Sequence, residues 1–167
     1  MKHYNILFIC TANASRSQMA EALVNHYAHP NFTAYSAGSH PAGQLHPLTR
    51  ATLQHFGLAT APLRSKSWNE FLAPNAPPMD FIFTLCDAAA GESCPSWLGL
   101  PLVAHWGVAD PSLPHKEEDR RKAFHDAFLL IKHRIDLLTA LPFEKLEHLA
   151  LQHHIREIGV QTPEPQR

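Results

Sequence analysis

Cys10 and Arg16 bracket five small or polar residues, Thr11-Ala12-Asn13-Ala14-Ser15, and Ser17 follows the arginine. Small side chains let successive backbone N–H groups converge as an anion nest. A helix opening near Ser17 adds the positive end of its dipole at the same point. Arginine has the wrong charge for a first helical turn if stability alone is considered. Its planar fork instead suits a tetrahedral oxyanion. The same positive surroundings predict that Cys10 is a thiolate nucleophile near neutral pH, with Ser15 or Ser17 donating a hydrogen bond to the sulfur. The plain alternative is a buried strand-end cysteine and a surface charge. The apolar run before Cys10 and the amphipathic run after Arg16 favour the site.

Two more thiols and one carboxylate stand in suggestive places. Cys86 ends the apolar run Asp80–Leu85, and Cys94 follows a segment rich in small residues, 87–93. They are either reactive thiols on the rim that carries Cys10 or inert buried ones. A zinc site wants closely spaced ligand pairs, and only the isolated His105 is near. Asp110 precedes Pro111, which favours an extended or turn backbone there, so it is either an acid or an ordinary turn residue.

Composition narrows the setting. With 167 residues, 45% hydrophobic and 17% charged, the chain reads as one globular unit with a core of its own. Fourteen basic and fifteen acidic residues give a net charge of -1, which lacks the field that broad nucleic-acid or membrane-surface binding needs. Three cysteines are too few and too odd in number for a secreted disulfide framework. The run Ile6–Cys10 is too short for a secretion signal, and no run approaches the roughly 18 residues of a membrane span. A cytoplasmic protein with no nucleic-acid or membrane partner is expected. The thirteen histidines, including His153-His154, are read as surface residues without a metal role.

The elements that must position these groups alternate along the chain. Strands are expected at Tyr4–Ile9, Phe32–Ala37, Asp80–Leu85 and Leu102–Trp106. Helices are expected at Ser17–Ala28, with Met19, Ala20, Leu23 and Tyr27 on the buried side, at Pro47–Gly57, and at Asp119–Leu141. A proline-rich loop with a short helix near Trp68–Leu72 joins the second helix to the third strand. After Pro142, a last helix would bury Phe143, Leu146, Leu149, Ala150 and Ile158, and the tail Thr162–Pro165 is expected to be disordered. Strands separated by helices predict a three-layer α/β/α, flavodoxin-like domain, a four-stranded parallel sheet flanked by helices. The domain spans 1–141, with a C-terminal extension at 142–167.

The segment Cys10–Ser17 resembles the phosphate-binding loop of the low-molecular-weight tyrosine phosphatases and of the arsenate reductases that share their fold. Those loops commonly carry glycine where Ala12 stands; a positive φ there would strain alanine by about 1 kcal/mol. The segment Thr84–Pro95 resembles the redox segment of the reductases, and His105-Trp106-Gly107-Val108-Ala109-Asp110-Pro111 resembles the segment that carries the family's general acid. The likeness runs from Tyr4 to Leu141 and takes in Tyr35–Ser39 and Leu63–Ser67.

The resemblance implies reduction of arsenate to arsenite. Cys10 would be the nucleophile, and Arg16 with Thr11, Ala12, Asn13, Ala14, Ser15 and Ser17 the oxyanion grip. Asp110 would be an acid, protonated while Cys10 is a thiolate. Cys86 would be the resolving thiol, and Cys94 would move the disulfide to the surface. An external thiol reductant, thioredoxin or glutaredoxin with glutathione, would reduce that disulfide, and no bound cofactor is implied. In some relatives residues matching Asn13 and Ser36 help bind potassium; no metal is expected here. One alternative is a phosphatase that hydrolyses phosphate monoesters through a Cys10 phosphocysteine. Another is a non-catalytic oxyanion sensor or protein-binding module.

Overall fold

The computed structural model describes residues 2–86, 97 and 100–161. Strands β1 (Tyr4–Ile9), β2 (Phe32–Ala37), β3 (Phe81–Thr84) and β4 (Leu102–His105) form one sheet in the order β2-β1-β3-β4, every pair parallel. Among the described residues four α-helices accompany it: α1 (Arg16–Tyr27), α2 (Pro47–His55), α3 (Glu117–Thr139) and α4 (His148–Val160). The four expected strands agree to within one residue at each end, and the expected three-layer class stands.

Burial explains the assignments. All four residues of the central strand β3 are buried, whereas β4 alternates buried and exposed as an edge strand does. One sheet face carries Ile6, Phe8, Phe81, Phe83, Leu102 and Ala104, packed against Met19 and Leu23 of α1 and Phe124, Phe128 and Ile131 of α3. The opposite face carries Leu7, Ile9, Ala37 and Ile82. Among the described residues it is covered by Phe71 of a 3-10 turn at Trp68–Leu72, by Met79 and by Trp68 and Trp97. Burying each large apolar side chain contributes about 1.5–3 kcal/mol, so the run Phe124, Phe128, Ile131, Ile135 and Leu138 alone secures α3, each being at most 2% exposed.

Two expected faces are corrected. Tyr27, expected inside, is 50% exposed; it sits in the last turn of α1 with the Lys132 ammonium over its ring. The C-terminal segment begins with a separate 3-10 turn at Phe143–Lys145, which puts the following helix in a different phase. As a result α4 buries Ile155 and Ile158, and Leu149 lies 82% exposed. The tail Thr162–Pro165 lies outside the described residues.

Strand order fixes where a ligand can sit. In an open parallel sheet the crevice opens at the carboxyl ends of the strands, where the order reverses. Here that point lies between β1 and β3, and their ends lead into Cys10 and Cys86.

Candidate active site

The loop after β1 is shaped by what happens to its carbonyls. Thr11 O accepts from His40 N at 3.0 Å, Ala12 O from Ala42 N at 2.9 Å, and Ala14 O from His46 N at 3.0 Å. Asn13 O accepts from Gln18 Nε2 at 3.0 Å. Four successive carbonyls are thus drawn outward, which turns the intervening amides to the inside of the loop. None of the N–H groups of residues 12–16 donates to a backbone carbonyl among the described residues, so the loop is a nest of donors awaiting an acceptor. The left-handed residue is Asn13 (φ 48°), a type that tolerates this region. The strain expected at Ala12 does not arise.

Asn13 also links the loop to what lies beneath it. Its Nδ2 donates to Ser17 Oγ at 2.8 Å, and its Oδ1 accepts from Gln18 Nε2 at 2.9 Å and from Lys66 N at 3.0 Å. Ser17, expected as a possible donor to Cys10, is instead held by Asn13. Gly38 closes the loop from the β2 side, because a Cβ there would stand 2.3 Å from Thr11 O and 2.6 Å from Cys10 O.

Helix α1 starts at Arg16 with no acidic residue in its first turn and no side-chain cap from Ser15, so nothing in that turn offsets the dipole's positive end. The Arg16 side chain is 14% exposed. Its Nη1 donates to Val108 O at 2.7 Å, and its Nη2 stands 4.0 Å from Asp110 Oδ2. Nε, on the same edge as Nη2, is buried with no partner. That edge is the two-pronged grip a tetrahedral oxyanion uses.

Asp110 serves a turn and faces the arginine at once. Ser112 N and Oγ both donate to Asp110 Oδ1, at 2.9 and 2.7 Å. Burial alone would raise this carboxyl, but the two Ser112 bonds and then the Arg16 charge hold it below the ordinary carboxylate value. Before an oxyanion binds, these contacts favour the carboxylate form of Asp110; the protonated form that the resemblance implies belongs to the step in which Cys10 is a thiolate.

Cys10 and Cys86 are both buried thiols, 5% and 6% exposed. Cys86 Sγ accepts from Thr11 N at 3.4 Å and lies 3.5 Å from Thr11 Oγ1. A side-chain hydrogen bond with Cys86 and burial push the Cys10 thiol well above its ordinary value, outweighing Arg16 and the Thr11 amide, which pull it down. The lowering expected at Cys10 from Arg16 and the loop is thus opposed by its direct neighbour Cys86 and by burial, and the two thiols titrate as a pair. Cys94 lies outside the described residues.

Below the loop stands a buried ion pair that no sequence pattern announced. Lys66 and Glu21 are 8% and 7% exposed, with Lys66 Nζ 3.5 Å from Glu21 Oε1 and donating to Arg64 O at 2.9 Å. Ser36 Oγ donates to the same Glu21 oxygen at 3.1 Å. Burial raises the Glu21 carboxyl and lowers the Lys66 ammonium, each opposed by the other's charge. The Lys66 ammonium thus faces the Glu21 oxygen to which Ser36 donates. Among the described residues no group of three or more His, Cys, Asp or Glu could hold a metal, and no helix is long and apolar enough to cross a membrane.

Residues 5–150 match the family described as low molecular weight phosphotyrosine protein phosphatase. The arsenate reductase of Shouchella clausii is 34% identical over 116 residues, covering 70% of this chain and 80% of the relative. That of Bacillus subtilis is 32% identical over 124 residues, 74% of this chain and 86% of the relative. Among solved structures, an arsenate reductase in the phosphate binding state superposes with a TM-score of 0.67 at 24% identity, covering 84% of this chain and 98% of the other, a likeness of fold. A thioredoxin-dependent arsenate reductase of Corynebacterium glutamicum superposes with a TM-score of 0.60 at 27% identity, covering 81% of this chain and 61% of the other.

Proposed function

The chain belongs to the low molecular weight phosphotyrosine protein phosphatase family, among its arsenate reductases, and from that membership we propose that it reduces arsenate to arsenite through a relay of Cys10, Cys86 and Cys94. The observation that carries this reading is that Cys86 lies against the loop nucleophile: its Sγ accepts from Thr11 N at 3.4 Å, and it shares one buried cluster with Cys10. Hydrolysis of a phosphate ester needs one thiol, one arginine and an acid. A second thiol against the nucleophile is what a two-electron reduction needs.

Arsenate enters as the acceptor of the loop amides and of the Nε/Nη2 edge of Arg16. Its negative charge takes Arg16 from Asp110 and faces the Asp110 carboxylate, which raises the carboxyl's proton affinity. The proton leaving Cys10 is thereby matched by one arriving on Asp110, and the acid and the nucleophile reach their working forms together. Cys10 sulfur attacks arsenic, and one arsenate oxygen leaves as water with the proton from Asp110. Cys86 sulfur then attacks Cys10 sulfur. The S–As bond breaks, its electron pair stays on arsenic, arsenic(V) becomes arsenic(III), and two thiols become one Cys10–Cys86 disulfide. Cys94 attacks Cys86, releases Cys10, and carries the oxidation outward as a Cys86–Cys94 disulfide. Thioredoxin is the proposed external reductant, which places the protein in the reducing cytoplasm. Phosphorus(V) is not reduced by thiols, so phosphate in the same loop is a competitive ligand.

The test is oxidation of reduced thioredoxin driven by arsenate, run beside aryl-phosphate hydrolysis, on wild type and Cys86→Ser. The expected result is arsenate turnover by wild type that Cys86→Ser abolishes. Brisk ester hydrolysis with no arsenate reduction would replace this reading with a phosphatase.

A further inference from the structure

Helix α4 lies mostly beyond residue 150, where the family match ends, yet its contacts converge on the strand that leads to Asp110. Trp106 Nε1 donates to Ile155 O at 2.9 Å, and Gln152 Nε2 donates to Val103 O on edge strand β4 at 3.0 Å. Gly159 lies so close to the strand end that a Cβ would stand 2.4 Å from His105 O and 2.9 Å from the Trp106 ring. Trp106 is fully buried and stacks on Phe83 with ring centroids 3.8 Å apart. It is wedged between the sheet and α4.

The chain leaving Trp106 runs straight into the oxyanion site. Gly107 O accepts from Arg134 Nη1 at 2.9 Å, Val108 N donates to Leu85 O at 2.9 Å, and Val108 O accepts from Arg16 Nη1 at 2.7 Å. Arg134 is 4% exposed, and its buried Nε has no partner among the described residues. The Val108 carbonyl aims the guanidinium of Arg16, and Asp110 follows on the same loop.

We propose that α4 is a positioning element for the oxyanion site: it locks the Trp106–Gly107 junction, and through the Val108 carbonyl it sets the direction of Arg16. Gly159 and Trp106 are positioning residues and touch no substrate. The assignment rests on the role given above to Arg16. A helix that merely capped an edge strand would add stability and leave ligand affinity alone, because edge covering protects strand hydrogen bonds at any small displacement. A misaimed two-pronged grip loses much more, since displacements near 1 Å cost up to about a hundredfold.

The experiment uses the full chain with Gly159→Ala, Trp106→Phe and, as a control on the exposed face of α4, Leu149→Gln. It measures the dissociation constant for inorganic phosphate and the thermal midpoint, then kcat and KM for arsenate. Gly159→Ala and Trp106→Phe are expected to weaken phosphate binding by about tenfold or more while remaining folded at the assay temperature, and Leu149→Gln to bind as wild type does. Trp106→Phe keeps a stacking ring while giving up the bond to Ile155 and part of the buried indole volume, so it carries the test if Gly159→Ala fails to fold. Lowered thermal midpoints with wild-type phosphate affinity in both variants would overturn the proposal. Phosphate binding requires no turnover: a wild type that binds phosphate yet never reduces arsenate overturns the proposed function and leaves the positioning role supported by the same affinities.

Discussion

Cys86 Sγ accepts the N–H of Thr11 at 3.4 Å, so the second thiol holds the first amide of the loop that the nucleophile opens. The same thiol shares a buried cluster with Cys10 and favours its protonated form. One contact thus accounts for a quiet resting site and for a short path to a disulfide once an oxyanion has joined Cys10.

Removing Cys86 should therefore wake the nucleophile while stopping the relay. Cys86→Ala deletes the largest influence that raises Cys10, leaving Arg16 and the Thr11 amide to act against burial alone. The pH midpoint for alkylation of Cys10 by iodoacetamide should fall, with faster labelling at pH 7 than in wild type. An unchanged or higher midpoint would show that Cys86 does not hold the Cys10 proton.

Asp110 makes a pH prediction with a definite sign. Its carboxyl is held below its ordinary value, so the folded state binds this proton less tightly than the unfolded chain does. The resulting stability is present above the ordinary value of 3.8 and is lost as pH falls through the lower folded value. Asp110 is partly exposed, so the contribution is below about 1 kcal/mol. Asp110→Asn should be less stable than wild type at pH 7, and in urea titrations the difference should shrink as pH falls below 3.8.

Lys66 and Glu21 form the buried support of the loop. Lys66→Met leaves the Glu21 carboxylate buried without its cation, a loss of roughly 3–5 kcal/mol. Glu21→Gln leaves the buried Lys66 ammonium without its anion and should cost a similar amount; chemical denaturation of the two variants checks both halves of the pair.

Gly38→Ala tests the loop's shape. The added carbon would stand 2.3 Å from Thr11 O, so the loop must shift, and arsenate turnover should fall by about a hundredfold or more. Activity close to that of wild type would mean that the loop tolerates the displacement.

The sheet was legible in the sequence because each strand is a short apolar run between polar or helical segments, and Cys10 with Arg16 stood out by type and spacing. The protonation states were not legible, since they depend on Cys86 and Ser112 reaching Cys10 and Asp110 in space. The phase of α4 was missed because Leu149 continues the periodicity of Phe143 and Leu146, which the 3-10 turn at Phe143–Lys145 interrupts. Gly159 gave no signal of its own: only the approach of a helix to His105 O makes a side chain impossible there. Lys66 and Glu21 are far apart in the chain and individually ordinary, so their pairing appears only in the fold.

The most direct measurement of the relay is a single turnover of Cys94→Ser with arsenate and no external reductant. Mass spectrometry of the unreduced digest should find Cys10 joined to Cys86, with about one arsenite released per chain, as two thiols supplying two electrons require. Continued multiple turnover, or arsenite released with no Cys10–Cys86 disulfide, would contradict the relay.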